Sequence, residues 1–543
     1  MPPINALHGA AATSQRLASA VAIELLQAGG SAVDAALGAN AMLSLIEPHM
    51  CGPGGDLFAL VWDPAERKLH GLNASGRAPQ GQTLATLRER LPGARTIPVH
   101  GVHSITVPGA VRGWQALHAR FGRLPLARIY APVIEHAQRG VEIGPATAVW
   151  WQHSATAVLD ASLGRLADGF KQVFMPAGRA PERGEHFCNP ALAHTYAALA
   201  TRGFDDFYSG EVGATLARYL ADCGAPVTAQ DLSVAEAEWV TPITTRYRSY
   251  DVYELPPNGQ GLAVLQMLNM LETLPVAELG RNSSSYWHAF IEAKKLAFED
   301  RARFYADPTY ADVPISALAD KTYARQRAAT ITERANDRPR PGAPAIAVGD
   351  TTYLTVADQS GMMVSLIQSI FHGFGAGLVP PELGFALQCR GAGFTLAENL
   401  PNSYAAGKRP FLTIIPAFVM RDGKPYMAFG VMGGDVQPQG QVQVLVNHLD
   451  FGMDIEAAGA APRMRHDGQN SPSLAAESDG GVVFHETGYP PALLADLAAR
   501  GHVLRPATHP ALHFMGGYQC ILRGAEGWYA ASEPRFDGCA LGY

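Results

Sequence analysis

Two adjacent threonines, Thr351 and Thr352, open the segment TTYLTVADQSGMMVSLIQSI deep inside the chain. A threonine in mid-chain is a poor nucleophile, because no neighbouring group takes up its hydroxyl proton. A threonine at a chain terminus is different, since its own α-amine, with an ordinary pKa of about 7.7–8.0, can act as the base. The hydroxyl of Thr351 could create that terminus itself, through an N→O acyl shift that cuts the bond after Asp350. Its β-branched side chain has a restricted χ1, which would help to aim the hydroxyl at a substrate.

The same segment also fits a simpler interpretation. Its residues alternate between apolar and polar, and threonine is common in β-strands, so an ordinary strand could begin at Thr351. The run ERANDRPRPGAP upstream, in a linker at about 330–350, is typical of exposed chain. These residues alone leave both interpretations open.

The composition is that of a globular protein. Hydrophobic residues make up 47% of the 543 residues and charged residues only 17%, below the roughly 25% of an average globular chain. Such a chain can bury a sizeable core, arranged as about three or four domains of ~150 residues or as one large α/β unit. The formal net charge of −7 gives no basic footprint, so we expect neither nucleic acid nor a membrane surface as a partner.

We expect a soluble, cytoplasmic protein. The N-terminal sequence has no basic stretch followed by an apolar one of ~7–15 residues, and no apolar run reaches the ~18–20 residues that span a bilayer. The cysteines form no C-x-x-C pair, which is typical of reduced thiols rather than of a disulfide framework or a zinc site. A catalytic cysteine stays open. The cysteines are Cys51, Cys188, Cys223, Cys389, Cys520 and Cys539.

Hydrophobic spacing predicts the elements that must position these residues. A first helix, in TSQRLASAVAIELLQAGGS, should end at Gly29 and Gly30. A second should have Ser31 as its N-cap and end before Pro48. This second helix is so rich in Ala and Gly that it must pack closely against neighbouring backbone. LFALVWD and KLHGLNA predict the two strands of a hairpin.

Farther along, residues ~110 to ~330 are mainly helical by their apolar spacing near 3.6. From Thr351 onward short strands and glycines prevail, and AFVMRDGKPYMAFG predicts a hairpin that turns at Asp422 and Gly423. The change in composition at about 330–350 is the strongest internal boundary. The helices expected in the first part lie in GAVRGWQALHARFG, LAHTYAALATRG, LAVLQMLNMLETL and SYWHAFIEAKKLAFEDRARFYAD.

Several ordered segments resemble the γ-glutamyltransferase (γ-glutamyltranspeptidase) family of N-terminal-nucleophile hydrolases. TTYLTVADQSGMMVSLIQSI is similar to the family's T-T-H-x-S-V-x-D-x-x-G-N-x-V-S segment, whose first threonine is the nucleophile. The resemblance covers the chain from about Ala12 to Tyr543. The segments on either side of it are GGSAVDAALGANAMLSLIEPHMCGPGGDLF, YDVYELPPNGQGLAVLQMLNMLE, EAKKLAFEDRARFYADP, GKRPFLTIIPAFVM, FGVMGGDVQPQGQVQVLVNHLDFGMDIEAAGAAPRMRH and ASEPRFDGCALGY.

The resemblance implies an αββα sandwich, which is an α+β fold, and a proenzyme that cleaves itself before Thr351. The products would be a helix-rich large subunit, 1–350, and a β-rich small subunit, 351–543, that carries the nucleophile. The two would stay together as an αβ heterodimer, alone or as a dimer of such units.

The resemblance also implies roles for particular residues. Thr351 matches the nucleophile, and Ser369 matches a hydroxyl residue that supports it. Gly433 and Gly434 match the glycine pair whose backbone N–H groups form the oxyanion hole, and adjacent glycines let the backbone approach a developing oxyanion closely. No metal or organic cofactor is implied: H-E-x-x-H is absent, and GFGAG lacks the strand–helix context of a nucleotide-binding loop.

The family's groups for a γ-glutamyl substrate are largely missing. In typical members an arginine and two serines hold the α-carboxylate, and an aspartate holds the α-amine. Here the arginine's place is taken by Ser75, the aspartate's by Gly393, and the serine pair's by Leu412 and Thr413. An asparagine downstream of the nucleophile is replaced by Phe371. The loss of a buried charged partner typically costs about 2–5 kcal/mol in binding, so a γ-glutamyl group should bind poorly.

Nearby residues offer a different substrate site. Arg77 and Arg390 could each bind a carboxylate through two hydrogen bonds, or could be surface charges, while Thr413 keeps a hydroxyl in the site. His372 could line the pocket or have no role. The pattern resembles a divergent branch of the family that includes oxamate amidohydrolases and cephalosporin acylase-like enzymes. The expected substrate is therefore an amide of a small acidic acyl group without the glutamyl α-amine.

Two other functions stay open. The chain could be an ordinary γ-glutamyl transferase or glutathione hydrolase, or an inactive relative kept as a binding protein. The presence of Thr351, Ser369 and the glycine pair together favours an enzyme, and the absence of a G-x-S-x-G elbow disfavours a Ser/His/Asp hydrolase. We therefore expect an N-terminal-threonine amidohydrolase or acyltransferase.

Overall fold

The computed structural model describes residues 3–336, 350–468, 471–472, 480–508 and 515–543. Most of the linker predicted at about 330–350 lies outside these ranges. The strands are β1 (Ile4–Ala6), β2 (Ala10–Thr13), β3 (Asp56–Asp63), β4 (Lys68–Ala74), β5 (Val141–Glu142), β6 (His186–Phe187), β7 (Glu238–Val240), β8 (Ile243–Tyr247), β9 (Tyr250–Glu254), β10 (Asp350–Ala357), β11 (Met363–Phe371), β12 (Ala417–Arg421), β13 (Lys424–Met432), β14 (Met464–Asp467), β15 (Val482–His485), β16 (Leu504–Pro506), β17 (Gly517–Arg523), β18 (Trp528–Ser532) and β19 (Cys539–Gly542).

Helices make up most of the remaining regular structure. They are α1 (Arg16–Gln27), α2 (Ala32–Ile46), α3 (Leu84–Arg90), α4 (Ala110–Phe121), α5 (Leu126–Arg139), α6 (Pro145–Asp160), α7 (Asp168–Phe174), α8 (Pro190–Arg202), α9 (Asp206–Ser209), α10 (Glu211–Asp222), α11 (Ala229–Ser233), α12 (Gly261–Leu271), α13 (Val276–Leu279), α14 (Ser284–Phe304), α15 (Ile315–Leu318), α16 (Lys321–Ala328), α17 (Val436–Leu449), α18 (Ile455–Ala460) and α19 (Pro491–Ala499). Within the described ranges, none of these helices is long and apolar enough to cross a membrane.

Two seven-stranded sheets form the centre of the molecule. The strand order is β19-β2-β10-β11-β3-β4-β7 in the first sheet and β1-β18-β17-β13-β12-β9-β8 in the second. Strand β10 lies inside the first sheet, antiparallel to both β2 and β11. Each sheet contains strands from before and after residue 350. The parts of the chain on either side of the expected cleavage point therefore share both sheets.

The two sheets pack face to face, and helices cover their outer sides. Leu354 and Val356 of β10 belong to a core shared with α1, α2 and α4, whereas Tyr353 and Ala357 belong to a core between the sheets. This alternation follows from the two-residue period of a strand. On the opposite side, α12, α14 and α17 bury apolar side chains against the second sheet. The architecture is an αββα sandwich, and the predicted α+β fold is confirmed.

Both predicted N-terminal helices are present. Helix α1 ends before Gly29, which has a positive φ of 88°. Helix α2 starts after Ser31, whose side chain accepts from the backbone of Asp34 in a capping box. A Cβ on Gly38 of α2 would come within 2.2 Å of the Leu25 side chain. The small residues of α2 are thus needed for its contact with α1, as the sequence predicted.

The predicted hairpins and the four predicted helices are also present, but some strands and one long helix were not predicted. The hairpins β3–β4 and β12–β13 are antiparallel, and Asp422 and Gly423 both have positive φ in the second turn. The four helices expected between ~110 and ~330 from their 3.6-residue spacing correspond to α4, α8, α12 and α14. Strands β7 to β9 in that region, and helix α17 after residue 351, were missed. Helix α17 is buried on almost every side, so it lacks the one-sided apolar pattern that signals a surface helix.

The packing of Tyr353 depends on a glycine in the opposite sheet. A Cβ on Gly430 of β13 would lie 2.5 Å from the Tyr353 ring. The Tyr353 hydroxyl is hydrogen-bonded to Ser365 Oγ at 2.8 Å, so the ring cannot easily turn aside. The close approach of the two sheets beside Thr351 therefore requires glycine at position 430.

Gly430→Ala should lower the midpoint of urea-induced unfolding, because overpacking a buried ring typically costs about 1–3 kcal/mol. Gly81→Ala is the matched control, since a Cβ there meets nothing within 4 Å and the midpoint should stay unchanged. Tryptophan fluorescence during urea titration measures both. Equal midpoints for Gly430→Ala and the unaltered protein would contradict this account of the packing.

Candidate active site

Thr351 lies at an irregularity in strand β10. The pairing of β10 with β11 shifts between Asp350 and Thr352, because two residues of β11, Ser369 and Ile370, oppose the single residue Thr351. Thr351 therefore lies opposite a β-bulge, where the regular ladder is interrupted, and bulges often occur next to active sites. Thr351 is only 1% exposed. Its Oγ lies 3.5 Å from Nε2 of Gln437, in helix α17.

The neighbouring threonine makes different contacts. Thr352 Oγ lies 3.5 Å from the backbone oxygen of Gln368, and it also contacts the thiol of Cys51, whose pKa burial raises. A buried thiol with a raised pKa is protonated and unreactive. Of the two threonine hydroxyls, that of Thr351 is the one directed toward helix α17.

Gly433 and Gly434 connect the end of β13 to the start of α17. Their φ angles, 121° and 63°, lie in the left-handed region that favours glycine. The backbone oxygen of Gly434 accepts from Nε2 of Gln260 at 3.0 Å and from the backbone N–H of Gln437 at 3.1 Å. These two donors fix the peptide that joins Gly434 to Asp435, directly after the glycine pair. The glycine pair therefore lies at the amino end of a helix, where backbone N–H groups favour negative charge.

Gln260, which sequence reasoning missed, holds several parts of the site together. Its Nε2 also donates to the backbone oxygen of Thr413 at 2.7 Å, and its Oε1 accepts from the buried Arg301. Arg301 also forms an ion pair with Asp435 at 2.7 Å. Burial alone would raise the pKa of Asp435, but Arg301, helped by Lys294 and Arg465, holds that pKa below its ordinary value. The only sequence signal was the position of Gln260 just before an apolar helix.

Arg390 is a fully buried cation with unused hydrogen-bonding capacity. Its Nη1 donates to Thr413 Oγ at 3.2 Å, and its guanidinium lies 4.7 Å from the centre of the Phe371 ring. Nε and Nη2 have no hydrogen-bond partner among the described residues. Burial lowers the pKa of Arg390 to about 10, although the Asp56 carboxylate acts in the opposite direction. The side chain is thus still charged at neutral pH, and buried polar groups are normally hydrogen-bonded.

Asp56, at the start of β3, is the acidic group that acts on Arg390. Its Oδ1 accepts from the backbone of Gly76 at 2.8 Å and of Gly109 at 3.2 Å, and from Gln388 Nε2 at 3.1 Å. Oδ2 has no partner among the described residues. Burial raises the pKa of Asp56 to about 6, against the opposing effects of Arg390 and of these hydrogen bonds. Sequence reasoning did not single out Asp56.

Arg77, the other candidate arginine, is in a different environment. It is about one-third exposed, donates to the backbone oxygen of Gly407 at 3.1 Å and lies 3.6 Å from Asp307. Ser75, two residues earlier, donates its hydroxyl to Asn73 Oδ1 at 2.6 Å. Nη1 of Arg77 and the hydroxyl of Ser75 are therefore engaged within the protein.

The remaining sequence-predicted positions divide into two groups. Ser369 is one of the two bulged residues of β11 opposite Thr351, and His372 is partly exposed with its ring against Phe371. Leu412 is buried between the sheets, and a Cβ on Gly393 would lie 2.5 Å from the backbone oxygen of Phe411. A longer side chain such as aspartate at position 393 would require the Phe411 backbone to move.

Two groups of side chains have the spacing of metal ligands in the described part of the chain. One is Asp63, Glu66 and His70, and the other is His288, Glu292 and His502. In the second, the imidazoles are hydrogen-bonded to each other at 2.8 Å, and Glu292 forms an ion pair with Lys295 at 2.8 Å. These ligand atoms are therefore already used within the protein.

Comparison with known proteins identifies the class of protein. The model of the γ-glutamyltranspeptidase family matches residues 18–543. The chain is 35% identical to the glutathione hydrolase-like YwrD proenzyme of Bacillus subtilis, over 97% of each sequence. It is also 35% identical to the oxamate amidohydrolase proenzyme of Klebsiella pneumoniae, over 99% of this chain and 98% of that one.

A solved structure extends this similarity to the fold. The crystal structure of cephalosporin acylase from Bacillus halodurans matches with a TM-score of 0.92 and 36% identity, over 100% of this chain and 97% of that one. The fold and the comparisons define an N-terminal-nucleophile amidohydrolase or acyltransferase that is made as a self-processing proenzyme. The chain belongs to the γ-glutamyltranspeptidase family.

Asp56→Asn tests the electrostatics of the site, because it keeps an acceptor oxygen for the three donors and removes the titration. The folded pKa of about 6 exceeds the ordinary 3.8, so the folded protein binds this proton more tightly than the unfolded chain does. Its stability should therefore fall as pH rises from about 4 to about 6. The variant lacks this loss, and its stability relative to the unaltered protein should increase by about 2 kcal/mol between about pH 4.5 and pH 7.

Urea titrations of both proteins at the two pH values measure the effect. A stability difference that stays constant between them would contradict the raised pKa of Asp56.

Proposed function

We propose that this chain cleaves itself between Asp350 and Thr351 and then hydrolyses or transfers the acyl group of a small acidic amide. In the first step, Thr351 Oγ attacks the carbonyl carbon of Asp350, and the peptide nitrogen leaves as the new α-amine of Thr351. Water then hydrolyses the resulting ester. The products are a large subunit, 1–350, and a small subunit, 351–543, which remain associated as an αβ heterodimer.

The matured site would act on an external amide in the same way. The α-amine of Thr351 takes the hydroxyl proton while Oγ attacks the substrate carbonyl, and the N–H groups of Gly433 and Gly434 stabilise the oxyanion. Collapse releases the amine and leaves an acyl group on Thr351. Water or an acceptor amine then removes that acyl group. The burial of Thr351 at a bulge beside the amino end of α17 supports this sequence of steps.

The observation that carries the substrate proposal is the state of Arg390. Its guanidinium is buried, and Nε and Nη2 have no hydrogen-bond partner among the described residues. Two such nitrogens have the geometry to bind a carboxylate through two hydrogen bonds. Thr413 and Phe371 hold it from two other sides. We therefore assign the substrate carboxylate to Arg390 rather than to Arg77, which is already paired with Asp307.

The positions that hold the γ-glutamyl group in typical members of the family support an acyl group without an α-amine. Leu412 belongs to the apolar core between the sheets, and there is no room for a side chain on Gly393 unless the backbone shifts. An ammonium group brought into the site without a counter-charge would be a buried unpaired charge, which costs several kcal/mol. Small dicarboxylic monoamides avoid that cost. A cytoplasmic location remains part of the proposal.

Thr351→Ala should remain a single chain of 543 residues, because the nucleophile of the cleavage is lost. Thr352→Ala is the matched control and should still mature, since its hydroxyl faces Gln368 and Cys51 instead. Mass spectrometry of the purified proteins gives the new N-terminus, which should be Thr351. A small subunit that begins at Thr352, or cleavage of Thr351→Ala, would contradict the assignment of Thr351 as the nucleophile.

Three anilides separate the contributions to specificity. Butyryl-, glutaryl- and γ-glutamyl-p-nitroanilide share one leaving group; glutaryl adds the carboxylate, and γ-glutamyl adds the α-amine to that. We expect kcat/KM to be highest for glutaryl and at least about tenfold lower for γ-glutamyl, because of the unpaired ammonium. Arg390→Met should lower kcat/KM for glutaryl by about 30-fold or more and leave butyryl nearly unchanged, whereas Arg77→Met should affect all three little.

Three other outcomes would contradict the proposed specificity or function. A γ-glutamyl compound cleaved tenfold faster than glutaryl would identify an ordinary γ-glutamyl transferase or glutathione hydrolase. A loss of glutaryl cleavage in Arg77→Met but not in Arg390→Met would transfer the carboxylate site to Arg77. A matured protein that cleaves none of the three, nor oxamate, would favour a binding protein.

A further inference from the structure

Gln437 is in direct contact with the hydroxyl of the nucleophile proposed above. It is fully buried near the start of helix α17, and its Nε2 lies 3.5 Å from Thr351 Oγ. The other end of the amide is fixed, because Oε1 accepts from the backbone N–H of Ile415 at 3.0 Å. A backbone N–H can only donate, so the oxygen of the amide must face Ile415. The NH₂ group must therefore face Thr351.

The orientation of this amide has a chemical consequence. An NH₂ group has hydrogens to donate and no lone pair to offer, so Thr351 Oγ is the acceptor in this contact. The proton of the Thr351 hydroxyl must then point to another acceptor. In the matured enzyme that acceptor is the α-amine of Thr351, which is the proposed base. Gln437 thus orients the hydroxyl so that its proton faces the base.

The backbone of the same residue also contacts the glycine pair. The N–H of Gln437 donates to the oxygen of Gly434 at 3.1 Å. One residue therefore contacts both the nucleophile and the carbonyl end of the glycine pair. Gln437 lies within one of the segments that resemble the family, FGVMGGDVQPQGQVQVLVNHLDFGMDIEAAGAAPRMRH, but the resemblance implied no role for it.

We propose that Gln437 is a catalytic residue that donates a hydrogen bond to Thr351 Oγ in self-cleavage and in release of the acyl group. The proposal rests on Thr351 as the nucleophile. In acyl release, water adds to the acyl carbonyl and transfers its proton to the α-amine. The tetrahedral intermediate then collapses, the bond between carbon and Oγ breaks, and its electron pair goes to Oγ, which takes the proton back from the α-ammonium. The N–H of Gln437 stabilises the negative charge that develops on Oγ.

Gln437→Glu is the sharpest test, because it keeps the shape and the acceptor for Ile415 but replaces the donor. A protonated carboxyl can still donate to Thr351 Oγ, whereas an ionised one cannot. The ratio of kcat in the variant to kcat in the unaltered enzyme should therefore fall by about 100-fold as pH rises and the new carboxyl ionises. Taking the ratio removes the shared titration of the α-amine, and Asp435 and Arg301 are the same in both proteins.

Gln441→Glu is the matched control. Gln441 lies one turn farther along α17 and donates from Nε2 to the backbone oxygen of the same Ile415 at 3.0 Å. It therefore introduces a buried carboxyl in the same surroundings without the contact to Thr351 Oγ. A similar fall of the kcat ratio with pH in Gln441→Glu would mean that a carboxyl in α17 disturbs the site in general, and would overturn the proposal.

Gln437→Met keeps the inference testable if the glutamate variant does not fold. It removes the donor at all pH values, so kcat for glutaryl-p-nitroanilide should fall about 100-fold with little change in KM and no new pH dependence. Self-cleavage should slow as well, seen as a single chain that persists on a denaturing gel while Gln441→Met matures. If the small subunit of the unaltered protein begins at Thr351 and Gln437→Met matures and turns over normally, this inference fails while the proposed function stands.

Discussion

The site depends on one constraint: the hydroxyl of Thr351 must be held in place by a sheet and yet stay outside its hydrogen-bonded ladder. A bulge in β11, where two residues oppose Thr351 of the interior strand β10, satisfies both requirements. Strand β10 is fixed by β2 on one side and β11 on the other. At this irregularity the hydroxyl of Thr351 faces α17, and that of Thr352 faces Gln368. Everything else in the site is arranged around that position.

Neutral amides, more than charges, connect the parts of the site. The side-chain amide of Gln260 donates to the backbone oxygens of Thr413 and Gly434. The side-chain amide of Gln437 accepts from the backbone N–H of Ile415 and lies within 3.5 Å of Thr351 Oγ. An amide can donate and accept at once, so it can join backbone groups of different strands without burying a net charge. Arg390 and the glycine pair are thereby held in one framework. Such a framework keeps hydrogen-bond donors in place before the reaction begins.

The buried charges serve a different purpose. Asp56 and Arg390 are not in direct contact, but each affects the pKa of the other, and each keeps atoms without a partner among the described residues. Asp56 offsets part of the cost of burying the guanidinium, and its three hydrogen bonds keep it from moving toward the arginine. Arg390 thus remains charged and still able to bind an anion. This state of Arg390 is the basis for proposing a small acidic acyl group as the substrate.

The sequence by itself determined the local elements, and its resemblance to the family predicted the nucleophile segment. The cap at Ser31, the turn at Asp422 and Gly423, and the 3.6-residue spacing of the long helices act over a few residues, so they can be recognised without the fold. Helix α17 and the roles of Gln260 and Gln437 were decided only by the tertiary structure, because their partners come from distant strands. The choice between Arg77 and Arg390 was likewise a matter of burial. Two arginines look alike in sequence, and only the packed structure pairs Arg77 with Asp307 and leaves two nitrogens of Arg390 without a partner among the residues it describes.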